Sequence, residues 1–76
     1  MMIDLKERGW INSDKNCKMN SDFFLGTTIQ SLGELKGYTV HILFFGMAIP
    51  SKVQATFEDA TKLESEVWET IQGGGQ

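Results

Sequence analysis

The fold is decided by Tyr38-Thr39-Val40-His41-Ile42-Leu43-Phe44-Phe45, followed by Ile49-Pro50-Ser51, Val53-Gln54-Ala55-Thr56-Phe57 and the spaced apolar residues Ala60, Leu63, Val67 and Ile71. The first run is uncharged, β-branched and aromatic, which suits a pleated and largely buried strand. The proline marks a turn, and the segment from Val53 to Phe57 alternates as a half-buried strand does. From Ala60 onward the apolar positions recur at helical spacing and fall on one stripe. Strand, strand and helix in that order predict a small α+β two-layer domain with an antiparallel three-stranded sheet and a C-terminal helix on one face.

Outward from this stretch, the chain divides into an N-terminal short helix and polar loop (1–22), strands (23–57), a helix (59–72) and a flexible tail (73–76). Leu5, Gly9 and Trp10 are spaced as a left-handed helix cap with its accompanying apolar contact. Residues 12–22 are rich in Asn, Ser and Asp, which bond their own backbone in turns. Residues 23–35 read either way. Phe23, Leu25, Thr27 and Ile29 alternate as a strand, whereas Leu25, Ile29 and Leu32 fit a helix face. The β-branched run Thr27-Thr28-Ile29 favours a strand over 23–29, since a helix would also carry Gly26 and Gly33 at about 1 kcal/mol each. Residues 31–37 connect it to the strand at 38–47, and a third strand is expected over 52–57. Asp59 is the expected helix cap, with Glu58 adding negative charge at the positive end of the helix dipole.

Length and composition bound the rest. A chain of 76 residues is one domain that hides only about 60 to 65 % of the surface its unfolded form exposes, leaving little room for a separate catalytic cleft. Hydrophobic content of 41 % with 22 % charged residues is that of a globular domain rather than a disordered one. The single cysteine excludes an internal disulfide framework, and no N-terminal run is apolar enough for a signal peptide or membrane span, so the expectation is cytoplasmic, with no membrane partner. The net charge of −3 arises in the second half of the chain, where Lys52 and Lys62 face Glu58, Asp59, Glu64, Glu66 and Glu69. The basic residues form no cluster of the kind that neutralises phosphates, which speaks against direct nucleic-acid binding.

The inventory for chemistry is sparse. His41 and Cys17 are the only imidazole and thiol, and a dyad between them would require a loop to fold across the sheet. One Cys and one His fall short of a structural zinc site, residues 12–22 lack the glycine and glutamate of a calcium loop, and no phosphate-cradling glycine motif follows a strand. The expectations are therefore no cofactor, no metal and no enzymatic activity. Glu66 and Glu69 belong on an exposed helix face, where the plain reading is a solvated surface that keeps the protein soluble.

Trp68 stands at the margin of the helix stripe, one turn from Glu64. Its ring either covers the edge of the sheet or anchors a partner. The expected binding residues are Glu64, Glu66, Trp68 and Glu69, in a non-enzymatic protein-binding module. By analogy, small acidic domains of phage or mobile elements act as inhibitors by presenting carboxylates where phosphates would sit. The run from Ile42 to Phe45 is apolar on both faces of its strand, so the face without the helix must be hidden by the N-terminal segment or by another molecule. A structural homodimer or small accessory subunit is the alternative function.

The last residues, Ile71-Gln72-Gly73-Gly74-Gly75-Gln76, resemble the C-terminus of the prokaryotic ubiquitin-like modifier family, whose members end in Gly-Gly-Gln or Gly-Gly-Glu. The resemblance covers six residues of 76 and implies ligation to lysines through the Gln76 side chain. That family is largely disordered and highly charged, unlike the apolar strands here. Modifier function stands as a minor alternative beside a flexible or cloning-derived tail.

Overall fold

The structure, a computed structural model, describes residues 1–73; the Gly-Gly-Gln end, and with it the expectation of a flexible or modifier tail, lies outside the described residues. In chain order the elements are β1 (Met2–Asp4), β2 (Lys18–Asn20), a 3₁₀ turn (Ser21–Phe23), β3 (Phe24–Ser31), β4 (Tyr38–Phe44), β5 (Met47–Pro50), α1 (Phe57–Trp68) and a π-helical turn (Glu69–Gly73). β3, β4 and β5 form an antiparallel three-stranded sheet, and β1 and β2 form a separate antiparallel pair. The domain is α+β, with the C-terminal helix packed on one face of the larger sheet.

The core follows from the alternation of β4. Val40, Ile42 and Phe44 point to one side and are buried, while Thr39, His41 and Leu43 point to the other, where Thr39 is buried and the other two are half-buried. Onto the first side pack Ala60, Leu63, Val67 and Ile71, the stripe read from the sequence, together with Ile3, Leu5, Trp10 and Ile11 from the N-terminal segment. Each fully buried aliphatic side chain contributes about 1.5–3 kcal/mol. This cluster is therefore what a 76-residue chain has to set against its conformational entropy.

Several expectations shift. The third strand lies at 47–50 rather than 52–57, because the reversal comes at Phe45-Gly46, leaving Phe44 paired with Met47. Pro50 is no turn; it closes the edge strand β5, where a missing N–H is tolerated. Residues 51–54 still run beside β4: the Ser51 N–H donates to the Val40 carbonyl (2.9 Å), and Tyr38 and Gln54 exchange bonds of 2.8 and 2.7 Å. The helix begins two residues before the expected 59, because Thr56 rather than Asp59 is its cap; the Thr56 hydroxyl accepts from the Asp59 N–H at 3.0 Å. Its last expected turn is the π-helical one, which keeps Ile71 buried.

The short helix expected after Asp4 is a single capped turn. The Asp4 carboxylate accepts from the N–H groups of Lys6 and Glu7, and at the other end the Trp10 N–H donates to Leu5 and the Gly9 N–H to Lys6. These last two bonds are a Schellman cap, and Leu5 and Trp10 are the buried apolar pair it calls for. The loop expected over 12–22 includes β2, whose three residues are too few to show a period of two in the sequence.

Candidate functional site

The flank of α1 that faces β3 is organised around one hydroxyl. Thr27 donates its hydroxyl proton to Glu64 Oε2 (2.7 Å), and Thr27 Oγ1 itself accepts the indole N–H of Trp68 (3.0 Å). Glu64 and Trp68 lie four residues apart on the helix and so share a face. The Trp68 ring meets Phe24 edge to face with centroids 4.9 Å apart, a geometry that aromatic pairs favour. Gly26 makes room for it: a Cβ there would come within 3.3 Å of the indole, and its φ of +149° is one that L side chains rarely adopt. The register slips between Phe24 and Gly26, so that Leu25 bulges out of the ladder.

Of the four expected binding residues, the structure thus brings Glu64 and Trp68 together over Thr27. Glu66 and Glu69 are exposed and join no such network. Trp68 covers the sheet margin and fixes its N–H, and it remains 39 % exposed.

A larger feature lies at the same end of the sheet. Phe24 pairs with Phe44, and Phe44 with Met47, in one cross-strand row. The Phe45 N–H donates to the Phe23 carbonyl at 2.8 Å, which holds the chain beyond both strands together. Around this row stand Phe45 (78 % exposed), Leu25 (63 %), Phe23 (55 %) and Met47, with Trp68 beside Phe24. Sequence reasoning placed these residues in strands and missed their exposure. The available signal was two apolar runs, Phe23-Phe24-Leu25 and Ile42-Leu43-Phe44-Phe45, more than one small core can cover.

At the opposite end an open cleft of about 450 Å³ lies between the β3–β4 connection and the start of α1. Tyr38 and Phe57 pack edge to face on its wall, 5.8 Å apart. Leu35, with φ of 62°, stands fully exposed at its rim.

Cys17 and His41 are not assembled into a dyad. Cys17 packs against the core cluster with its thiol directed to the Asp14 carbonyl (3.7 Å), whereas His41 lies in β4 on the face away from Val40 and Ile42, across from Thr28 and Pro50. Among the described residues no group of three or more His, Cys, Asp or Glu side chains is placed to hold a metal ion, and no helix is long and apolar enough to cross a membrane. No family model, curated protein or solved structure matches the chain.

Proposed function

We propose that this chain is a non-enzymatic protein-binding module that acts by occupying a surface of its partner. The observation that carries the reading is the exposed apolar group of Phe23, Leu25, Phe45, Met47 and Trp68 around the Phe24–Phe44 row. Large apolar side chains gathered at one place cost solubility when left in water, and aromatic anchors of this kind supply most of the affinity in protein interfaces. Glu66 and Glu69 leave the same helix end as Trp68, so a partner engaged here meets carboxylates at the rim, where charge governs orientation and association rate more than affinity. An inhibitory role, in which the acidic helix face takes the place of phosphates, fits the same arrangement.

The test compares the wild type with a Phe23→Ser/Phe45→Ser variant in affinity capture from the native host. Both positions are exposed, so the variant keeps a native circular dichroism spectrum. The expected result is one protein that co-purifies stoichiometrically with the wild type and is lost with the variant. A partner held equally by both proteins refutes the assignment of this surface.

A further inference from the structure

The three-stranded sheet ends on β3, and nothing in its sequence protects that edge. We infer that β3 pairs antiparallel with β3 of a second copy, about a two-fold axis through Ile29, so that the three strands of each copy become one continuous sheet.

The backbone bonds fix which groups are available. In an antiparallel ladder, residues alternate between pairs that exchange hydrogen bonds and pairs that do not. Leu32 donates to Gly37, while Tyr38 exchanges bonds with Gln54 and Val40 bonds to Ser51, on the side away from β3. The residues opposite Val40 and Tyr38 are Ile29 and Ser31. They and Thr27 therefore turn their N–H and C=O groups toward the open edge. A row of such groups is a template for another strand.

Natural edges are usually blunted by lysine, proline or an inward charge. Residues 24–31 contain none of these, and the only irregularity is the bulge at Leu25. What selects a second copy is the self-complementary order Thr27-Thr28-Ile29-Gln30-Ser31. Centred on Ile29, an antiparallel pairing sets Ile29 against its own mate on the helix side, hydroxyl Thr27 against hydroxyl Ser31, and on the other side Thr28 against Gln30. The half-buried Ile29 packs against the core, and its mate would finish covering it. Two molecules of net charge −3 also meet best on a surface without formal charge, and β3 is one.

α1 packs on both β3 and β4, so with strands about 4.8 Å apart the two helices stand roughly 10 Å from each other, an ordinary packing distance. A five-residue edge with flanking side chains lies at the small end of stable interfaces, so the dimer is weak and its population depends on concentration. The two aromatic ends point in opposite directions along the joined sheet and stay free. The inference therefore does not depend on the proposed partner surface.

Sedimentation of the full chain over the micromolar range tests it, with paired charge variants at the exposed Thr28 and Gln30. The wild type is expected to show a monomer–dimer equilibrium that raised salt leaves intact. T28K/Q30K and T28E/Q30E each set like charges directly opposite one another and raise the Kd about tenfold or more. An equimolar mixture of the two variants recovers association, with all species keeping native circular dichroism. A wild type that stays monomeric overturns the inference. So does a dimer that ignores both variants, including one lost instead in Leu43→Asp, which would place the contact on the open sheet face.

Discussion

The two sides of β4 differ more than their sequences do. Val40, Ile42 and Phe44 are fully buried in one cluster with residues of α1 and the N-terminal segment, whereas on the other face Thr39 is buried but His41 and Leu43 are only half-buried. The sequence alternatives were that the N-terminal segment or another molecule hides the second face. Instead the N-terminal segment joins the helix on the first, and the contrast teaches that a small chain concentrates its apolar residues on one side rather than thinly covering two. One side thereby holds the fold, while the exposed apolar side chains gather at the Phe23–Phe45 end and the unpaired strand edge runs along β3.

The sharpest way to break this comparison is to remove equivalent bulk from each side. Phe44→Ala opens a cavity among fully packed neighbours and costs about 3–5 kcal/mol, a large part of what a domain of this size has. Its urea midpoint falls steeply or its cooperative transition disappears. Leu43→Ala on the other side costs less, about 1–2 kcal/mol, since that side chain is half-buried rather than fully packed. Similar losses at the two positions would mean that the second face is covered in solution.

The next largest effect concerns how the end of the covered side is closed. Gly37 has φ of +91°, and a Cβ there would lie 2.6 Å from the Gln54 carbonyl oxygen and 2.9 Å from Val53 Cγ1. Gly37→Ala forces the chain crossing at Gln54 to move and costs on the order of 3 kcal/mol, combining backbone strain with overlap. Gly46 has a comparable φ of +79° with nothing within 4 Å of its Cβ position, so Gly46→Ala costs about 1–2 kcal/mol for conformation alone. Denaturation midpoints of the two variants isolate the packing contribution; equal midpoints would remove the close crossing from the account.

What could be read in advance follows the length of the pattern. The apolar stripe of α1 spans more than two turns, so its spacing alone places Leu63, Val67 and Ile71 on the core, where they are buried. The Leu5–Gly9–Trp10 cap was legible because cap chemistry is local. The β4–β5 reversal was not: Phe45-Gly46 carries a single turn residue between large apolar ones, while Pro50 nearby gives a stronger but misleading signal. Of the expected site, Trp68 and its tie to Glu64 follow from helical spacing. Thr27, which joins them, is distant in sequence, and nothing local announces such a partner. The exposure of Phe23 and Leu25 has no local signal either, since it depends on where the N-terminal segment packs, whereas the run ending at Phe45 is too apolar on both faces for one helix to cover.

A smaller effect probes the tie between helix and edge strand. Thr27→Ala removes the oxygen shared by Glu64 and Trp68, and costs about 1–2 kcal/mol because both partners are partly open to water and can rehydrate. Thr27→Ser retains the hydroxyl and recovers most of the loss. Near-ultraviolet circular dichroism reports the loosening of the indole. An unchanged spectrum in Thr27→Ala would show that Phe24 and Gly26 alone hold the ring.

The smallest expected change lies deepest on the covered side. Trp10 is 2 % exposed, and its indole N–H is buried without a hydrogen-bond partner among the described residues. Truncating so buried an aromatic to alanine costs about 3–5 kcal/mol. Trp10→Phe is different in kind, because it removes both apolar area and an unpaired donor whose burial costs about 1–3 kcal/mol. The two terms oppose each other, and the Arg8 guanidinium, 5.8 Å from the ring centroid, keeps an aromatic face to lie over. The net change is within about 1 kcal/mol of zero, so the urea midpoint of Trp10→Phe stays near that of the wild type while that of Trp10→Ala collapses. A loss above about 2 kcal/mol in Trp10→Phe would mean that the N–H finds an acceptor in solution, and the N-terminal segment would then be held over the sheet by polarity as well as by packing.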